Sequence, residues 1–96
     1  MKVLWTDSAV AQLQAIHDYL AQTSPQFALR IVDRLTKRSI QIAAFPLSGR
    51  MVPEYELNEV RELIEGRYRI IYLLEAGQVQ VLAVIHGARE ELRPLG

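Results

Sequence analysis

The sequence contains no cysteine. That excludes disulfide staples, thiolate nucleophiles and cysteine-ligated metals, and it agrees with a reducing compartment. Excess charge of either sign is also missing, since eleven Lys and Arg face eleven Asp and Glu. Nucleic-acid binders generally carry a basic surplus that neutralises phosphates, so such a role would need a local basic patch, and binding to free DNA is not expected. No apolar run approaches the roughly 18 residues of a membrane span. Asp7 cuts short the apolar start at Val3-Leu4-Trp5, so no signal-peptide core follows Lys2. These absences predict a soluble cytoplasmic protein without membrane attachment. Nucleotide and hydrolase signatures of the G-x-G-x-x-G, P-loop and G-x-S-x-G kinds are absent too. Neither histidine, His17 or His86, has a carboxylate at metal-ligand spacing on its own element, so neither a metal nor a cofactor is expected.

What remains is a short chain rich in core-forming residues. Its 96 residues, half of them hydrophobic, make a single domain over 1–96. A chain of this size buries only about 60–65% of its unfolded surface, so a partner that recognises the folded form would add to a thin margin.

The apolar periodicity predicts the elements. Lys2 to Trp5 reads as a short strand that ends at the N-cap types Thr6-Asp7. Val10, Leu13, Ile16 and Leu20 then recur at steps of three and four, one stripe of a helix over Ser8 to Gln22. Ser24-Pro25 stops that pattern and starts a second helix to about Ala44, with Phe27/Ala28, Ile31, Leu35 and Ile42/Ala43 on one side. Arg30, Arg34, Lys37 and Arg38 lie opposite, as a solvated face. So short a break implies an antiparallel helical hairpin. Two prolines and a glycine make Phe45 to Pro53 a loop. Strands are expected at Glu59 to Glu65, Arg67 to Glu75 and Gln78 to His86, separated by turns at Gly66 and Ala76-Gly77. The last strand begins with alternation at Val79 and Val81 and then runs continuously apolar to Ile85. The order is β-α-α-β-β-β. This is an α+β fold with the hairpin packed on one face of a largely antiparallel sheet, the first strand at an edge and the other face left open to water or a partner.

The candidate chemistry lies in the C-terminal half, where Arg50, Arg61, Arg67, Arg69, Arg89 and Arg93 accompany His86. Arg67 and Arg69 stand two apart on one strand and should share a face. Guanidinium forks suit phosphate or carboxylate, and a histidine near its ordinary pKa can move protons around neutrality. The plainer reading is structural, because Glu54, Glu56, Glu59, Glu62 and Glu65 are close enough in sequence to neutralise these arginines. Trp5 and Tyr68 read as core or groove aromatics rather than base-stacking platforms.

Several segments, taken in order, resemble the RelE/ParE toxin superfamily. They are Trp5-Thr6-Asp7-Ser8-Ala9, Ser24-Pro25 with Ala28, Pro46-Leu47-Ser48-Gly49-Arg50, Val52-Pro53-Glu54, Arg61-Glu62-Leu63, Tyr68-Arg69-Ile70-Ile71-Tyr72 and Val84-Ile85-His86-Gly87-Ala88-Arg89. The likeness covers nearly the whole chain. It implies a growth-inhibiting toxin of the plasmid-stabilisation kind. Such a toxin is encoded beside an antitoxin that binds it as a heterodimer or heterotetramer, through a segment that folds on binding.

Two activities divide that superfamily. ParE-like members poison DNA gyrase, whereas RelE-like members cleave mRNA on the ribosome with a basic cluster and usually a late Tyr or His. This chain has no lysine after Arg38 and no Tyr or His after Arg89. The expectation is therefore a ParE-like, non-enzymatic toxin directed at gyrase, with Arg50, Arg61, Arg67, Arg69, Arg89 and Arg93 as contacts for target or antitoxin. The alternative is a ribosome-dependent endoribonuclease using Arg61, Arg69, His86 and Arg89. A third reading is an inactive relative that only binds.

Overall fold

A computed structural model describes residues 1–87. Its elements are β1 (Lys2–Trp5), α1 (Asp7–Ala21), α2 (Pro25–Ala44), β2 (Arg50–Met51), β3 (Val60–Glu65), β4 (Tyr68–Glu75) and β5 (Gln78–His86). The five strands form one sheet in the order β1-β5-β4-β3-β2. β1 runs parallel to β5 at one edge, and every other pairing is antiparallel. The expected β-α-α-β-β-β order holds, with one addition. β2 lies inside the segment read as loop. Two residues cannot display alternation, and the cross-strand pair Arg50↔Glu62 sets their register instead.

Both helices start where their caps dictate. Thr6 Oγ1 accepts from Ala9 N at 3.1 Å and donates to Leu82 O at 3.3 Å, which ties the start of α1 to the sheet. Ser24 Oγ accepts from Phe27 N at 3.2 Å, with Pro25 in the first turn of α2. Losing a cap costs about 1 kcal/mol. Truncating a buried Leu or Ile costs about 2–5 kcal/mol, so packing outweighs capping in holding the hairpin. The residues that pack are Ala9 on α1 and Ala28, Leu35 and Ile42 on α2, all fully buried. The stripe expected on α1 holds at Leu13, Ile16 and Leu20 but begins at Ala9 instead of Val10. Val10 is 52% exposed, because Ala9, with Leu13 and Ile16 one and two turns on, forms the inner face. Phe27 is likewise largely exposed while its neighbour Ala28 is buried.

The sheet has two cores. Leu63, Ile70, Tyr72, Val79, Val81 and Val84 meet the helices. On the far face Val52, Val60 and Ile71 pack with Tyr55, Leu73 and Ala83. The far face is thus partly covered by the chain that follows β2, contrary to the expectation of an open surface. Val52 carries this return, since its N donates to Val60 O and its carbonyl accepts from Tyr55 N and Glu56 N.

A register shift between β4 and β5 pairs Ile71 with Ala83 and Tyr72 with Val81, leaving Leu82 as the extra residue. This bulge explains why alternation ends after Val81: inward side chains sit at 79 and 81 before it and at 84 after it. Gln12 Oε1 on α1 accepts from Val84 N at 2.9 Å beyond the end of β1. Arg67 lies in the β3–β4 turn rather than on β4, because the two-residue turn Gly66-Arg67 closes the register Glu65↔Tyr68. Gly66 has φ +59°, a conformation that disfavours side chains.

The Pro46–Gly49 loop is anchored from within the core. Tyr72 is buried, and its Oη donates to Pro46 O at 2.8 Å while accepting from Gly49 N at 2.9 Å. Burial raises the Tyr72 phenol above its ordinary pKa, which keeps it a donor. A Cβ on Gly49 would stand 2.6 Å from Glu62 O and collide with Tyr72 Oη. Gly49→Ala should therefore destabilise more than Tyr72→Phe. The latter only leaves the loop's polar groups unsatisfied, at about 1–3 kcal/mol. Thermal melts should show both variants lowered by several degrees, with Gly49→Ala the lower. A Gly49→Ala protein that melts with the wild type would contradict this anchoring.

Candidate functional site

The predicted site residues do not gather on one surface. Successive strand residues point to opposite faces, and β3 places Glu62 on the far face and Arg61 on the helix side. Arg61 is tied to the chain around it: Nε donates to Asn58 O at 3.1 Å, Nη2 to Asn58 Oδ1 at 2.8 Å and Nη1 to Gly49 O at 3.0 Å. Arg50 and Arg69 do come together on the far face, around Glu62. Arg67 is exposed at the β3–β4 turn, and His86 ends β5 opposite Tyr68. Arg89 and Arg93 lie outside the described residues.

The far-face cluster is an ion network built on a buried carboxylate. The Glu62 side chain has no exposed surface. Arg69 Nε donates to its Oε2 at 2.7 Å and Arg50 Nε to its Oε1 at 2.6 Å. The two terminal nitrogens of Arg69 also grip Glu54 in a fork, both at 2.9 Å. The Arg69 side chain is only 13% exposed, while Arg50 is 66% exposed. The hydrogen bond from Arg69 holds the Glu54 carboxyl below the usual glutamate range, and the Glu54 and Glu62 carboxylates raise the Arg69 guanidinium above its ordinary value. Of the five glutamates read as neutralisers, Glu54 and Glu62 fill that role, whereas Glu65 stands 3.8 Å from Arg38 on α2.

Two grooves flank the end of the sheet. The smaller, about 560 Å³, lies on the far face and is lined by Arg50, Glu54, Arg67, Tyr68, Arg69 and His86 among others. The larger, about 810 Å³, opens between the turn of the helical hairpin and the β3–β4 turn. Ile16, Tyr19 and Leu20 of α1, Phe27, Ile31 and Arg34 of α2, and Tyr68, Val84 and His86 of the sheet line it. Tyr68 and His86 border both grooves and meet edge to face, with ring centres 5.5 Å apart. Sequence reasoning missed the larger groove. Arg34 had been read as part of a solvated helix face, and periodicity gives no measure of how far the helix turn stands off the sheet. The exposed Tyr19 beside the α1 stripe was the one available signal. Among the described residues no group of His, Asp or Glu is placed to hold a metal ion, and no helix is long and apolar enough to cross a membrane.

The network makes a ranked prediction. Arg69→Ala leaves Glu62 buried with one exposed partner, and breaking a buried pair in this way costs about 3–5 kcal/mol. Arg50→Ala removes a solvent-screened cation and should cost about 1 kcal/mol or less. Chemical denaturation measures both, and equal losses would contradict the assignment of Arg69 as the main counter-ion. The pH dependence follows from Glu54, whose folded-state pKa is depressed. Its contribution is present above the ordinary glutamate value of about 4.3 and is lost as pH falls through the lower folded value. Glu54→Gln should thus flatten the acid limb of the stability curve in that window.

Comparison with known proteins agrees with this architecture. Residues 3–91 match the family described as the ParE toxin of the type II toxin–antitoxin system parDE. The chain is 36% identical over 89 residues to Toxin RelE2 of Caulobacter vibrioides (strain ATCC 19089 / CIP 103742 / CB 15), covering 92% of this chain and 97% of the relative. Among solved structures, the chromosomal ParDE toxin–antitoxin system from P. aeruginosa superposes with a TM-score of 0.75 at 26% identity, over 90% of this chain and 95% of that one. The chain belongs to the ParE toxin family of type II toxin–antitoxin systems, within the RelE/ParE superfamily.

Proposed function

We propose that this toxin stops growth by binding DNA gyrase in the cytoplasm rather than by cutting RNA, and that its cognate antitoxin neutralises it by covering the hairpin and sheet. The observation that carries this reading is the state of the arginines. Transition-state stabilisation in phosphoryl chemistry needs cations aimed at the reacting group. Arg69 is instead committed to Glu54 and Glu62, Arg50 to Glu62, and Arg61 to Asn58 and Gly49. The balanced net charge also removes the long-range attraction that draws a protein onto RNA. The match to the ParE family supports the same side of the superfamily.

A second reading, a ribosome-dependent endoribonuclease, draws on two observations. The 36%-identical relative carries the RelE name, and Arg67, Arg69 and His86 line one groove. Its chemistry would be attack of a ribose 2′-OH on the adjacent phosphate, with the P–O5′ bond breaking to leave a 2′,3′-cyclic phosphate and a free 5′-OH, His86 moving the proton from one oxygen to the other and Arg67 and Arg69, which line the same groove, bearing the charge.

Purified toxin is expected to inhibit supercoiling by gyrase and to accumulate cleaved DNA–gyrase complex in a dose-dependent manner. No effect on gyrase, together with codon-phased mRNA cuts that disappear in His86→Ala, would overturn the first reading in favour of the second.

A further inference from the structure

We propose that this toxin pairs with a second copy of itself through an exposed apolar stripe on α2, with the two helices antiparallel.

α2 carries two apolar stripes where a helix lying on a sheet needs one. The first is buried and runs through Ala28, Leu35 and Ile42. The second runs beside it through Leu29, Val32, Thr36 and Ile40, at the steps of three and four that keep residues on one face. Leu29 and Ile40 are each 61% exposed. Thr36 does not interrupt the stripe, because its hydroxyl donates to Val32 O at 2.8 Å and needs no outside acceptor. Exposed apolar residues scattered singly are ordinary, but a row at helical spacing is the pattern by which helices pack on one another. At about 100° per residue the row lies roughly 200° around α2 from Phe27, Ile31 and Arg34, which line the larger groove. It is a separate surface, and covering it leaves both grooves open.

Charge and symmetry identify the occupant. One acid and one base border the stripe, Asp33 and Lys37, which pair with each other at 2.9 Å. A twofold contact is isologous, so that where one residue meets another the reverse contact also forms. When two copies of α2 lie antiparallel with Leu29 against Ile40, Val32 meets Thr36 and Asp33 comes beside the second copy's Lys37. Apolar groups then face apolar groups, and each border charge gains an opposite neighbour. A parallel pairing would set Asp33 against Asp33 and Lys37 against Lys37. The border is neutral as a whole and offers little to a phosphate backbone. From Leu29 to Ile40 the helix runs about 17 Å. Such a contact buries less than the roughly 800 Å² per partner of a standard interface, so the dimer is weak and reversible.

The test is sedimentation equilibrium on the purified full-length toxin from about 1 μM to about 1 mM, the span of weak associations. A reversible monomer–dimer equilibrium is expected. Leu29→Asp and Ile40→Asp should each weaken it by at least about tenfold. Both sites are exposed, and matched thermal melts establish folding; Leu29→Gln and Ile40→Gln replace any variant that does not fold. Lys37→Asp should weaken the dimer by about threefold, and the exchange Asp33→Lys/Lys37→Asp should restore it. The chain has no cysteine, so single thiols report the orientation directly. A mixture of Val32→Cys and Thr36→Cys proteins should cross-link faster than either alone. A toxin that stays monomeric throughout the range would overturn the proposal, as would a dimer indifferent to Leu29 and Ile40. Faster cross-linking of each thiol variant with itself would overturn the antiparallel arrangement and the proposal with it. A monomeric toxin whose Leu29→Asp variant loses binding to gyrase or antitoxin would assign the stripe to that partner instead. None of these results depends on which target the toxin attacks.

Discussion

A carboxylate with no exposed surface stays charged inside a protein only if cations and hydrogen bonds replace the water it has lost, because the desolvation penalty is several kcal/mol. Glu62 is such a group, and much of the far face is arranged around it. It sits mid-strand on β3 and faces away from the helices, where Arg69 of β4 and Arg50 of β2 reach it from either side. The contact with Arg50 helps to set the register of the two-residue β2. Arg69 then holds Glu54, which follows β2 in the segment that closes over Val60 and Ile71. One buried acid thus draws two neighbouring strands and a loop into a fixed arrangement.

The same constraint bears on function. Arg50, Arg61 and Arg69, which look available in the sequence, are already paired in the fold, and a guanidinium so paired is poorly placed to accept charge developing on a phosphate. The helix side of the sheet is organised differently. There the contacts are apolar, from Ala9, Leu35 and Ile42 onto Ile70, Tyr72 and Val84, with Tyr72 reaching through to fix the Pro46–Gly49 loop. Where the helical hairpin turns, this packing gives way to an open apolar cleft.

Much of the fold was legible because it is governed by local rules. Thr6, Ser24 and Pro25 mark helix starts, and Gly66 and Gly77 mark hairpin turns. Even the bulge at Leu82 left a trace, as the point where alternation in β5 breaks down. Less legible were features set by tertiary geometry. Whether Ala9 or Val10 faces inward depends on how α1 is seated, and Ala9 wins because the helix lies close to its neighbours. β2 is too short to carry a pattern. For the site, two of the five glutamates singled out in the sequence, Glu54 and Glu62, meet the candidate arginines, but the division of Arg61 from Arg69 between two faces was not legible. That division depends on register, and a shift of one residue would reverse it.

The central claim is that the far-face guanidinium groups serve the buried Glu62 and not a reaction. It is tested most directly by replacing the charged pair with apolar groups of similar size, Glu62→Leu with Arg69→Met, and measuring growth inhibition by the folded double variant. Swaps of this kind at buried ion pairs are often neutral or stabilising. The account predicts a protein that melts cooperatively near the wild type and still arrests growth. A double variant that folds but no longer inhibits growth would show that Arg69 or Glu62 acts on the target, and would contradict it.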